Sequence, residues 1–197
     1  MGGIEGKVVN LEFFIGLLGL VLVLLLVLGV YILVTYNKLV ALRNAATTAS
    51  SQIATELQQR LDLIPALVTT VKGYAAHERE TLEAVTKART AAVNMRGRGG
   101  PAEIEDPLTT ALGRLMLLAE AYPNLKADSN FLDLQNQLSA VERRINLARR
   151  FYNESVLVYN TAQQQFPANL VAKPLGIETS VSYSAKPEAE EPPKFSF

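Results

Sequence analysis

The stretch from Phe13 to Val34, FFIGLLGLVLVLLLVLGVYILV, holds twenty-two residues without a charge. As an α-helix it reaches roughly 33 Å, enough to cross a hydrocarbon core of about 30 Å with slight tilt. A helix in a water-soluble core is rarely apolar on every face for six turns, because one face normally meets water. Phe13 and Phe14 stand at one end and Tyr31 and Tyr36 at the other, where aromatic rings favour the membrane–water interfaces. The segment therefore reads as a retained transmembrane anchor. A cleaved signal peptide fits less well: the leader carries Glu5, Lys7 and Glu12 in place of a basic region, the apolar run is too long, and nothing like A-x-A follows it. Lys7 precedes the run while Lys38 and Arg43 follow it, so the positive-inside rule places a short N-terminus outside and the rest of the chain in the cytoplasm.

Beyond the anchor, about 150 residues suffice for one domain. The 19 basic and 19 acidic side chains cancel and are interspersed, so no global field draws in nucleic acid. The absence of cysteine excludes disulfides, thiolate nucleophiles and Cys-based zinc sites, and a single histidine defeats most other metal templates.

Helical periodicity continues past Val34 through Leu39, Leu42, Ala46, Ala49, Ile53, Leu57, Leu61 and Ile64. Pro65 lacks an amide donor, so it is expected to kink this rod or to start a second helix, with Asp62 as a kink-stabilising carboxylate near Arg60. Apolar spacing resumes from Leu67 to Ala92 and fails at Met95–Ala102, where three glycines and a proline predict a loop. Asp106–Pro107 is a good helix start and Tyr122–Pro123 a stop. Asp128 or Ser129 can cap a last helix reaching Phe166, with the seam Phe131, Leu134, Leu138, Val141, Ile145, Ala148, Tyr152, Ser155 and Tyr159. Prolines and the cluster Glu188-Ala189-Glu190-Glu191 give residues 168–197 the composition of an extended or disordered tail. The expected layout is thus a short segment over 1–12, a transmembrane helix over 13–34, an all-α bundle of four long antiparallel helices over 35–167, and the tail.

Candidate sites are few. His77-Glu78 lacks the second histidine of H-E-x-x-H, since position 81 is Thr, and Glu78, Glu80 and Glu83 read as a solvated face. Arg96 and Arg98 in the glycine loop make the best local anion site. Arg143, Arg144, Arg149 and Arg150 lie within eight helical residues, off the seam, placed for lipid headgroups or for contacts between subunits. Asn37, Asn44, Asn146, Asn153 and Asn160 recur near bundle-facing positions, where a buried amide can fix register. No catalytic group, cofactor or metal is expected.

The blocks Tyr36-Asn37-Lys38-Leu39-Val40-Ala41-Leu42-Arg43-Asn44, Gln58 to Val68 with Asp62-Leu63-Ile64-Pro65, and Val71 to Glu78 closely resemble the LemA family. Ala88-Arg89, Ala121-Tyr122-Pro123, Arg149-Arg150-Phe151-Tyr152-Asn153, Tyr159-Asn160 and Phe166-Pro167 are similar to it too. The resemblance implies an N-terminally anchored bacterial membrane protein, N-terminus out, with a long-helix bundle and no established enzymatic activity. The expected function is a non-enzymatic scaffold at the inner membrane that self-associates and organises envelope proteins or lipid. The alternative is an adaptor docking onto another membrane protein such as a protease.

Overall fold

The computed structural model describes residues 2–95 and 101–183, with side chains over 15–94 and 107–183. Among the described residues there are six helices and no strand: α1 (Gly2–Tyr74), α2 (Arg79–Met95), α3 (Pro101–Glu120), α4 (Pro123–Lys126), α5 (Ser129–Gln164) and α6 (Asn169–Ala172). The protein is all-α, with one long apolar N-terminal helix, as expected. It divides into two compact units, one taking in the chain up to Ala45 together with Val158–Ser180, the other Ala46–Leu157 and the chain from Val181.

In the first unit the anchor keeps its apolar surface on every side. Leu24, Leu25, Leu26 and Val27 are each more than half exposed, and four successive residues point in four directions around a helix. Among the described residues no protein face covers them, so this helix, long and apolar enough to cross a membrane, suits hydrocarbon and not water. Burial in the same unit begins at Thr35 and Leu39 and resumes at Tyr159, Gln163, Val171 and Ala172. The segment expected to be an extended or disordered tail is described as far as residue 183. After α5 the chain forms α6, then a turn in which Gly176 N–H donates to Lys173 O and Ile177 N–H to Ala172 O. That 5→2 and 6→1 pairing is a Schellman ending, and Gly176 takes the left-handed φ of +62° that it requires.

In the second unit the core forms from the seam that periodicity marks. Ile64, Val71, Val85, Leu115, Leu125 and Phe131 are essentially inaccessible, within one apolar cluster that includes Leu61, Leu108 and Leu138. Two helix boundaries differ from expectation. Helix α3 begins at Pro101, not at Asp106–Pro107, because Pro101 itself takes the first helical position, where a missing N–H costs nothing; Pro107 then sits inside the helix. The second helix begins at Arg79 and not at Pro65, since α1 runs unbroken through Pro65 to Tyr74. Residues Arg96 and Arg98 lie outside the described residues.

The continuity through Pro65 has a tertiary cause. A proline cannot donate to the carbonyl four residues back, which here is that of Leu61. Arg89 of α2 supplies the missing donor, its Nε–H reaching Leu61 O at 3.0 Å. Arg89→Met should therefore cost about 1–3 kcal/mol by orphaning a half-buried carbonyl. In a Pro65→Ala background, where an amide returns, that cost should shrink. A double-mutant cycle on urea midpoints reads the coupling.

The chain leaves α1 through a turn in which Glu78 N–H donates to Ala75 O, and tyrosines tie this end down. Tyr74 O–H donates to Asp128 Oδ2 (2.9 Å) and Tyr122 O–H to Glu78 Oε1 (3.1 Å). Asp128 also caps α5, its Oδ1 accepting from Phe131 N–H at 2.8 Å. The Phe131 amide, with the Tyr74 hydroxyl, holds the Asp128 carboxyl below its ordinary value, and the carboxylate hydrogen bond pushes Tyr74 up. Because the folded value of Asp128 is depressed, its stabilisation is complete above about pH 4 and is lost as pH falls through that lower value. Asp128→Asn should flatten the acid limb of a stability–pH profile measured by urea unfolding.

Candidate functional site on the long C-terminal helix

Helix α5 presents the pairs Tyr152-Asn153 and Tyr159-Asn160, seven residues apart and therefore on one face. In the first unit, Tyr159 O–H donates to Glu178 O (2.9 Å), while the Asn160 amide exchanges two hydrogen bonds with Ser180, Nδ2 donating to Ser180 O (2.8 Å) and Oδ1 accepting from its N–H (3.0 Å). In the second unit the pattern repeats. Tyr152 O–H donates to Val181 O (2.9 Å), and Asn153 makes the same double bond to Tyr183, at 3.1 and 2.7 Å. Each tyrosine thus takes the carbonyl of one residue and each asparagine both main-chain groups two residues on. The geometry allows the repeat: seven helical residues rise about 10.5 Å, and three extended residues, the offset from 178 to 181, span about 10 Å. Residues 177–183 form no regular structure of their own; α5 side chains supply the bonds a neighbouring strand would make.

A charge cluster with one buried member, Arg60, lies beside Tyr183. Arg60 of α1 is 1% exposed, at a core position of the seam between Ile53 and Ile64. Its Nη2 donates to Thr109 Oγ1 at 2.7 Å. Its Nε stands 2.8 Å from Glu142 Oε1, close enough for an ion pair though the N–H is turned away from the hydrogen-bond line. Burial pushes the Arg60 guanidinium below its ordinary value, Glu142 pulls it back up, and Arg149 lowers it again. Arg149 in turn stacks on the Tyr183 ring, 4.8 Å from its centroid.

The arginines singled out from sequence have separate fates. Arg144 reaches Glu56 Oε2 (2.8 Å) and Gln59 Oε1 (2.7 Å) of α1, and Arg149 faces Tyr183. Arg150 lies 3.4 Å from Asn146 O on its own helix, and Arg143 is exposed with no hydrogen bond or ion pair among the described residues. Asp62 is exposed and accepts from Gln58 Nε2 at 2.5 Å, so it does not join Arg60, whose acid is Glu142. Sequence reasoning missed Arg60 and Arg89; the signal for Arg60 was its three-to-four spacing within an apolar seam. His77 is exposed in the α1–α2 turn, and no group of three or more His, Asp or Glu side chains able to hold a metal comes together among the described residues. The arrangement is chemically suited to gripping an extended main chain.

Residues 49–197 match the model of the LemA family. The chain belongs to the LemA family. Among curated relatives, Protein LemA of Metamycoplasma hominis is 27% identical over 84% of this chain and 77% of its own length. Magnetosome protein MamQ 2 of Paramagnetospirillum magneticum is 25% identical, over 82% of this chain and 69% of its own. Magnetosome protein MamQ of Magnetospirillum gryphiswaldense is 25% identical over the same shares. The Tyr-Asn pairs, Arg60 and Arg89 all fall inside the LemA match. With its apolar N-terminal helix, this LemA-family chain is a membrane-associated bacterial protein.

Proposed function

We propose that this protein is a non-enzymatic scaffold, anchored in the inner membrane by a single pass, that self-associates through its helical bundle and C-terminal segment and organises envelope proteins or lipid. The observation that carries the reading is the use to which α5 puts its polar side chains: Tyr152, Asn153, Tyr159 and Asn160 bind peptide backbone. A helix committed to holding extended chain is an assembly surface. None of the relatives bears an enzyme's name, and the magnetosome named for MamQ suits a protein that serves a cellular structure. The charge asymmetry of Lys7 against Lys38 and Arg43 supports a cytoplasmic bundle.

Light scattering of the full chain in mild detergent tests the scaffold. A large uniform particle is expected, and a monomer across concentrations would end the proposal. Orientation is checked separately: because the chain has no cysteine, one introduced at exposed Thr110 should resist a membrane-impermeant thiol reagent in intact cells and react after lysis.

An adaptor reading draws on a different feature, a groove between α1 and α2 floored by Val68 and Leu82 and edged by Lys72, Arg79 and Lys87. A single stoichiometric heteropartner on crosslinking in native membranes would favour it, and ladders of the chain itself the scaffold.

A further inference from the structure

We infer that the Tyr152-Asn153 and Tyr159-Asn160 pairs are an exchangeable receptor for extended chain, and that in the assembled protein its occupant is the segment Glu178–Tyr183 of a second copy. The inference rests on the self-association proposed above and names the contact that carries it.

Three observations lead there. The first is what the receptor reads. Every bond it makes goes to a main-chain N–H or C=O of the segment, so an identical segment from another copy satisfies all of them equally. The stacking of Tyr183 with Arg149 is likewise available to a second copy's Tyr183.

The second is how little else holds the segment in place. Glu178, Thr179, Val181 and Ser182 are exposed, Val181 at 80%, so transfer between copies uncovers hardly any apolar area. Hydrogen bonds broken in one copy are remade in the other, which leaves the exchange nearly neutral before the entropy of association.

The third is the connection. Between α6 and the held segment lies the turn over Lys173–Ile177, whose members Lys173, Pro174, Leu175 and Gly176 are exposed. Two turn hydrogen bonds, at 3.2 and 3.1 Å, and the positive φ of Gly176 define it. A short exposed hinge joining an extended arm to its site is what domain swapping needs, and swapping yields assemblies without new surface chemistry. The arm adds to a helix face as a strand adds to a sheet edge, with main-chain bonds giving affinity.

The test uses two full-length copies co-expressed with different epitope tags. One carries Tyr183→p-benzoylphenylalanine, which keeps the aromatic ring and both main-chain groups. Irradiation of membranes should give a denaturing-gel band bearing both tags. Asn153→Ala with Asn160→Ala in the other copy should weaken that band about tenfold. Asn153→Asp with Asn160→Asp, of the same shape but without the amide donor, should do likewise, which separates lost recognition from a misfolded helix. If the probe joins only its own chain while light scattering still shows a large particle, exchange is overturned and self-association stands. If the particle is a monomer, both fall. A doubly tagged band that survives both pairs of substitutions would overturn the receptor assignment.

Discussion

Arg60→Ala should lower the unfolding free energy by about 2–5 kcal/mol, the range for truncating a large buried side chain to alanine. The loss has two parts. A large side chain leaves a site that is 1% exposed, where the packing around it relaxes only partly. Thr109 Oγ1 and Glu142 also lose the group that bridges them from α3 and α5 to α1. Arg60→Lys should restore little, because an ammonium cannot span both partners with the fork of a guanidinium. Arg60→Met should cost roughly half as much as alanine, since it refills the volume and Glu142, with its side chain 38% exposed, still reaches water. Urea unfolding followed by circular dichroism, compared at constant slope, ranks the three. Equal effects of alanine and methionine would mean that charge, not volume, sets the cost.

The second large effect concerns the anchor. Leu24→Arg together with Leu25→Arg places two charges at the middle of the apolar run, at about 3 kcal/mol each and so about 6 kcal/mol in all against membrane insertion. The doubly substituted chain should move from the alkali-resistant membrane pellet to the supernatant, whereas Leu24→Ala with Leu25→Ala should stay. Both residues are well exposed and touch no core, so loss of the bundle's fold is not expected to accompany the change. A chain that remains in the pellet with both arginines would show that the helix does not cross the bilayer.

Much of the architecture was legible because it follows from short-range rules. Three-to-four spacing marked Ile53, Leu61, Ile64, Phe131, Val141 and Ile145, all of which are buried. The cap at Asp128 followed from side-chain chemistry next to free amides. Both boundary differences involve proline. Proline reads locally as a breaker, yet Pro65 is accommodated because Arg89, twenty-four residues away in sequence, supplies a donor to Leu61 O. Nothing near Pro65 announces that donor.

The candidate site was half visible. Asn153 and Asn160 stood out among asparagines recurring near bundle-facing positions, but as devices of bundle register. Their actual partners are the backbone of Ser180 and Tyr183, residues whose side chains carry no signal of being held. Arg144 and Arg149 were noticed as charges, while their engagement with Glu56 and Tyr183 depends on which helix and which returning segment lie opposite.

What the sequence determined by itself is the membrane helix, the all-α class and the faces that become core, since each depends on hydropathy and period along one helix. Tertiary structure alone decided that Arg60 is a core residue paired with Glu142, that Arg89 completes α1 at Pro65, and that residues 178–183 are held by α5. Those outcomes turn on long-range hydrogen bonds, whose donors and acceptors become neighbours only once the helices have packed.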